Sequence, residues 1–247
     1  MLLSFILIPG PPVRATSWEP TADQLRRLGH TVQVPDVLAR SALPPSWRTW
    51  TDHLLKQVCP SKSLIVVGHS SACALAIDLA TKVAARGVIL VDGDIPPTSG
   101  AAAPIRPALR DFLATLADPT GLLPIWSRWF MNDPARAALV GVDVLQRNRD
   151  AYDRFERGLP RLKVDWFKDE IQLDRWDHIS AGYIQTSKIY DHATAEARRR
   201  NWPIIATNGT HLDPALRPVE MSEAIVALTT RIAPASAACV GKRFQCS

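Results

Sequence analysis

At 247 residues the chain is long enough to bury a sizeable core, either as one α/β domain or as two small ones. Apolar residues make up 47% and charged residues 21%, with no low-complexity tract, which excludes a disordered or fibrous protein. A net charge of +5 is only mildly basic, and the arginines are dispersed, Arg198-Arg199-Arg200 being the longest run. That pattern suits a solvated helix face and argues against a nucleic-acid footprint.

Residues 1–8 are apolar, lack a basic segment before them and run straight into Pro9-Gly10. They read as a first strand and not as a signal peptide. No other apolar run approaches membrane-spanning length, so a soluble, cytoplasmic protein without a membrane partner is expected. Ser17 is placed to cap a helix running to about Leu28, with Pro20 in its first turn and Gly29 closing it. Residues 31–34 alternate as a second strand. A proline-rich loop follows, and Ser46 caps a helix whose Trp47, Trp50, Leu54, Leu55 and Val58 share one face.

Residues 63–80 organise the rest. Residues 64–67 form a β-branched apolar run of the kind that a buried parallel strand uses. Gly68 interrupts it, and small or apolar residues then continue at helical spacing (Cys73, Leu75, Ile77, Leu79). Ser70 therefore stands at the apex of a strand, turn and helix, where the first free N–H groups of the helix point at whatever bonds to it. Residues 88–91 form a fourth strand ending in Asp92-Gly93-Asp94. Alternation of strand and helix argues for a parallel sheet covered on both faces.

The alternation stops after Pro96. Residues 98–178 read as helical pieces broken by prolines and glycines, and they hold Trp126, Trp129, Trp166 and Trp176. An insertion at the carboxyl ends of strands is where lids over active sites sit, so this segment reads as a helical lid. Residues 1–97 and 179–235 would then be the core, and residues 236–247 a tail. The sheet pattern resumes at 182–187, leading to Tyr190-Asp191, then a helix over 193–200 and a last strand over 203–207. Asn208-Gly209-Thr210-His211 turns just beyond that strand. A closing helix follows Arg217-Pro218, with Met221, Ala224, Ile225, Leu228 and Ile232 on one face.

Cys59, Cys73, Cys239 and Cys246 show no CxxC or zinc spacing, and Cys73 reads as a small core residue. There is no His-Glu-x-x-His or comparable metal pattern and no glycine-rich phosphate loop, so neither a metal nor a cofactor is expected.

These features in this order resemble the α/β-hydrolase family over most of the chain outside the lid and tail. Gly-His-Ser-Ser-Ala, residues 68–72, resembles the family's Gly-x-Ser-x-Gly nucleophile elbow, with Ala72 in place of the second glycine. DGDIPP after the fourth strand resembles a strand-end acidic loop. YIQTSKIYD followed by NGTHLDPALRP resembles the acid-then-histidine ending, and residues 8–36 resemble the oxyanion-loop strand, first helix and second strand. The resemblance implies an α/β-hydrolase fold, with a mostly parallel sheet, and a triad in which Ser70 is the nucleophile and His211 its base. Asp191 matches the usual place of the acid, and Asp94 is the alternative used by some members. Asp92 is expected to pin its loop through backbone hydrogen bonds. His192 lies at a helix start, and His30, His53 and His178 are expected to be structural.

The resemblance places one oxyanion donor at the N–H of Ser71. The second would come from the residue after Gly10, but here that is Pro11, followed by Pro12, and proline has no N–H. The N–H of Val13 or the side chain of Arg14 would have to replace it, or the reaction would need less oxyanion stabilisation. Pro11, His69, Trp126 and Trp129 are the expected pocket residues. The expected activity is hydrolysis of an ester or thioester of a hydrophobic small molecule. The alternative is a biosynthetic cyclase, release thioesterase or lyase working on a hydrophobic, polyketide-like intermediate.

Overall fold

A computed structural model describes residues 2–36 and 46–233. Its main sheet has six strands: β1 (Ser4–Ile8), β2 (Thr31–Gln33), β3 (Leu64–His69), β4 (Gly87–Val91), β7 (Ala181–Gln185) and β8 (Ile204–Ala206). They lie in the order β2-β1-β3-β4-β7-β8 and every neighbouring pair is parallel. β5 (Gly100–Ala102) and β6 (Ile171–Leu173) make a separate two-stranded antiparallel ribbon. The sequence pattern over residues 98–178 suggests only helices. A three-residue strand of Gly-Ala-Ala carries too little side-chain signal to show itself.

The ten α-helices of the described residues are α1 (Glu19–Arg27), α2 (Trp50–Leu55), α3 (Cys73–Lys82), α4 (Pro107–Leu116), α5 (Pro134–Val140), α6 (Val142–Gln146), α7 (Arg149–Arg157), α8 (Asp191–Arg199), α9 (Asp213–Leu216) and α10 (Pro218–Ile232). None is long and apolar enough to cross a membrane. Ser46 caps as expected, its hydroxyl accepting from the N–H of Thr49 at 3.3 Å. Ser17 does not. It sits inside a short 3-10 turn and donates to the carbonyl of Arg14, and α1 begins two residues later.

The period-2 alternation of the strands separates two cores. Phe5, Leu7, Ile65, Val67, Ile89 and Val91 meet α1 and α10 on one face. Ile6, Ile8, Leu64, Val66, Val88 and Leu90 face α2, α3 and the helical segment on the other. Trp47, Trp50 and Trp166 pack with ring centres 4.2–5.2 Å apart, so the capped helix and the segment after β4 share one aromatic cluster.

The centre of the sheet is also where its helix comes closest. A Cβ added at Gly68 would lie 2.4 Å from Cβ of Ala76 and 2.9 Å from the carbonyl oxygen of Ala72, so only glycine lets α3 sit against β3. Gly68→Ala is expected to destabilise the fold by about 1–3 kcal/mol through this overpacking. Equilibrium urea denaturation followed by far-UV circular dichroism measures it, and an unchanged midpoint would contradict the close approach.

Candidate active site

Ser70 and His211 lie at the carboxyl edge of the sheet, which is where open parallel sheets present their ligand crevices. β3 ends at His69, and Ser70 turns the chain with φ of +58°, a left-handed conformation unusual for a residue with a side chain. Ser70–Ala72 forms a 3-10 turn that leads into α3. Ala72, where the resembled pattern has a second glycine, adopts ordinary right-handed dihedrals, so its methyl group is no obstacle. The N–H of Ser71 falls in the first turn, where helical N–H groups lack intrahelical acceptors.

His211 lies past the end of β8, in a loop that is fixed from several sides. Its backbone N–H donates to the carbonyl of Leu139 at the end of α5, and that of Leu212 donates to Val140. Buried Asp213 accepts from the N–H of Thr210 at 2.8 Å and from the hydroxyl of Thr207 at 3.0 Å. His69 adds a further tie, its Nε2–H donating to the carbonyl of His211 at 2.9 Å.

The carboxylate that meets His211 is Asp92. Its Oδ2 lies 2.7 Å from Nδ1 of His211, and Asp92 is fully buried. The same carboxylate accepts from the N–H groups of Thr186 and Ser187, both at 3.0 Å, and from the Ser187 hydroxyl at 2.7 Å. Burial alone would push the Asp92 pKa up. The bonds and charge of His211 and the Ser187 donors outweigh it and hold the group below the usual carboxylate range. Asp92 therefore pins its loop, as its sequence position suggests, and also holds the histidine.

Neither expected acid reaches His211. Asp191 opens α8, is exposed, and takes the amide of Gln185. The chain turns through Lys188–Tyr190 before that aspartate and carries it past the edge of the sheet. Asp94 points the other way and binds Nε2 of His192 at 2.6 Å. The register explains the exchange. β4 and β7 are neighbours, with Val91 opposite Ile184, so the first residue beyond β4 projects into the turn that leaves β7. Asp92 takes a φ of +42° there, and Gly93 follows because any Cβ on it would lie 2.3 Å from the carbonyl oxygen of Ser70.

Ser70 and His211 line one cavity of about 320 Å³. Among the described residues the Ser70 hydroxyl has no hydrogen bond to His211 in this conformation. It lies by the phenol of Tyr190, whose pKa burial raises and Ser70 partly lowers. The Tyr190 ring stacks on the His211 imidazole at 5.6 Å and 24° between planes. Tyr190 was visible in sequence only as the residue before Asp191. No local signal marks a tyrosine as the neighbour of a histidine twenty-one residues further along the chain.

The oxyanion side departs from expectation. The N–H of Val13 donates to the carbonyl of Gly10 at 2.9 Å, and the Arg14 guanidinium is held by Asp36 and the carbonyl of Gly158. The turn that accommodates Pro11-Pro12 therefore consumes the donor that was expected to replace them. It also presents Pro12 and Val13 to the cavity in place of Pro11. His69, Trp126 and Trp129 do line that cavity, with Phe112, Phe130 and Phe167 completing much of its apolar wall. Cys73 is buried under the elbow, as expected of a core residue, while Cys239 and Cys246, with the tail, lie outside the described residues. Among the described residues no cluster of three His, Cys, Asp or Glu side chains is arranged to hold a metal ion.

Burial drives the His69 pKa down to about 3, with the nearby His211 adding to it, and among the described residues its Nδ1 has no hydrogen-bond partner. The folded state keeps this imidazole neutral, whereas in the unfolded chain it protonates near pH 6.5. Its contribution is full above pH 6.5 and is lost as pH falls toward 3, with a slope of at most about 1.4 kcal/mol per pH unit. His69→Gln keeps a donor for the His211 carbonyl without titrating. Between pH 6 and 4 the variant should lose stability with pH less steeply than the unsubstituted protein, by up to one proton's worth of slope. Urea midpoints at several pH values test this, and parallel curves would refute it.

Comparison with known proteins agrees with the geometry. Residues 5–224 match the sequence profile of the alpha/beta hydrolase family. A comparison with curated proteins gives no match. Among solved structures, an extracellular alpha/beta-hydrolase from a Paenibacillus species aligns with a TM-score of 0.69 at 17% identity, covering 94% of this chain and 99% of the other. Its description notes structural and functional homology to tobacco salicylic acid binding protein 2. Tomato methylketone synthase I complexed with 2-tridecanone aligns at 0.74 with 14% identity, over 94% of this chain and 99% of that one. Polyneuridine aldehyde esterase aligns at 0.69 with 14% identity, over 93% and 100%.

Proposed function

The chain belongs to the alpha/beta hydrolase family, and from that premise we propose that it is a serine hydrolase acting on an ester or thioester of a hydrophobic small molecule. One observation carries this reading: an elbow serine opens onto the same cavity as a histidine whose Nδ1 is bound by a buried, ionised carboxylate. In the proposed mechanism Ser70 Oγ attacks the substrate carbonyl while Nε2 of His211 takes its proton. Asp92 fixes the Nδ1–H tautomer and stabilises the imidazolium that forms. Collapse of the tetrahedral intermediate returns the proton to the leaving group and leaves an acyl group on Ser70. Water, activated by the same imidazole, then releases the acid. The N–H of Ser71 faces the developing oxyanion. Residues 98–178 act as the lid, with Trp126 and Trp129 contacting the apolar part of the substrate.

A second reading keeps the site but not the hydrolysis. Pro11 and Pro12 lack N–H groups and that of Val13 is bonded to Gly10, so the oxyanion side holds one backbone donor where acyl transfer ordinarily uses two. The loss of one donor is worth about 10²–10³ in rate. A lyase or cyclase whose transition state carries less charge on that oxygen would tolerate the loss better. Methylketone synthase I is among the similar structures, although at 14% identity the likeness extends to the fold alone.

The first reading predicts labelling by a fluorophosphonate probe that disappears in Ser70→Ala and in His211→Ala. Asp92→Asn should lower kcat/KM for a medium-chain thioester by about 10²–10⁴, because the imidazole loses the partner that sets its tautomer. Asp191→Asn should leave it within threefold. Equal losses in the two aspartate variants would overturn the assignment of the acid. Labelling that survives Ser70→Ala would overturn the nucleophile. Brisk turnover of several unrelated nitrophenyl esters would exclude the second reading.

A further inference from the structure

The wall of the main cavity is apolar away from the triad. Among the described residues the charged side chains on it are two arginines, Arg106 and Arg136, and no carboxylate lines it. Arg136 is already compensated: it pairs with Asp133 at 3.5 Å and lies over the Phe112 ring. Arg106 is different. Its Nη2 donates to the carbonyl of Ile189 at 3.2 Å, its Nη1 lies 3.2 Å from Nδ1 of His192, and its guanidinium carbon is 5.4 Å from the centre of the Tyr190 ring.

None of these partners carries a negative charge. Because arginine only donates, Nδ1 of His192 must be the acceptor, and the imidazole proton is then on Nε2, where it bonds to Asp94. Asp94 keeps its negative charge, and a neutral imidazole stands between it and the guanidinium. Among the described residues no carboxylate lies within ion-pair distance of Arg106. Among the described residues two of its five N–H groups are engaged, and the half-buried guanidinium lines the apolar chamber with no carboxylate in direct contact. Arg106 also borders, together with Ser70, Ser71 and Asp94, a smaller adjoining cavity of about 180 Å³. The cation therefore stands within the span of one small molecule from the nucleophile.

We propose that Arg106 is the receptor for a carboxylate on the substrate. The substrate class is then an apolar acyl compound with its scissile carbonyl at Ser70, its hydrocarbon part between Trp126 and Trp129, and a free carboxylate on the Arg106 fork. One guanidinium matches one carboxylate in charge and in planar geometry. A doubly charged phosphate would leave excess charge in the chamber. The naming of a substrate rests on the hydrolase reading, but the anion site itself does not.

Binding separates the two. Quenching of tryptophan fluorescence in the Ser70→Ala protein reads affinity without turnover, with octanoate and 1-octanol as probes and octyl phosphate as a third arm. Octanoate should bind at least about tenfold more tightly than 1-octanol, as a charge-assisted pair in an apolar site allows. Arg106→Met should bring that ratio within threefold, and Arg106→Lys should leave it between the two. A ratio near one before any change at Arg106, or a ratio that survives in a folded Arg106→Met protein, overturns the proposal. Stronger binding of octyl phosphate than of octanoate overturns the choice of carboxylate. If Arg106→Met fails to fold, the starting ratio and the Arg106→Lys value still decide. Turnover of paired 4-nitrophenyl esters, with and without a terminal carboxylate, distinguishes the two failures. No turnover of either ester with the octanoate preference intact defeats the hydrolase reading alone. Turnover of both without preference defeats the role of Arg106 alone.

Discussion

Everything at the carboxyl edge of the sheet depends on one buried pair, Asp92 and His211. A carboxylate taken entirely out of water is stable only when its lone pairs are filled, and three donors from Thr186 and Ser187 fill them alongside the imidazole. Those donors come from the strand next to the one that bears Asp92, so the pair also locks β4 to β7 where the sheet ends. The gain from such a pair over an apolar core is small or negative. Breaking it by removing one partner is what costs, since the other group is left buried and unsatisfied. That asymmetry makes the pair a device for fixing geometry and not a source of stability.

The imidazole is confined on every side. Asp92 holds Nδ1, Tyr190 stacks on its ring, His69 lies 4.5 Å away between ring centres, and the carbonyls of α5 grip its backbone. His69 is neutral there, and it donates to the His211 carbonyl without placing a positive charge beside the second imidazole. Burial ensures this, as its depressed pKa records. The helical segment after β4 takes part as well. Leu139 and Val140 of α5 hold His211, and Trp126 and Trp129 line the cavity that it faces. A change in the position of this segment would therefore move the base as well as the pocket wall.

The fold was legible because its signals are local. A β-branched run broken by Gly68, and prolines and glycines at strand ends, specify a parallel sheet and its elbow without any knowledge of distant contacts. Ser70 and His211 were legible for the same reason, each being set by the turn it occupies. The acid was not. Asp92, Asp94 and Asp191 all stand near strand ends, and what separates them is register across β4 and β7 together with a left-handed φ at Asp92, neither of which leaves a mark in composition. The oxyanion side failed in a different way. The sequence shows plainly that Pro11 and Pro12 lack N–H groups, but the consumption of the Val13 N–H by Gly10 is a property of the folded turn. Tyr190 and Arg106 were missed because their importance comes from what they face, and their neighbours in sequence say nothing of it.

The two departures of this site, a thin oxyanion side and a cation with no carboxylate in direct contact among the described residues, bear on one another. A site with one backbone N–H for the developing charge gains when the bound substrate is positioned with little freedom, since orientation lowers a barrier independently of charge stabilisation. A planar cation gripping a second point of the molecule supplies that restraint, and Arg106 is itself fixed by Ile189, His192 and the Tyr190 ring. Tyr190 links the two ends of the chamber, with Arg106 over its face and the His211 imidazole stacked on it.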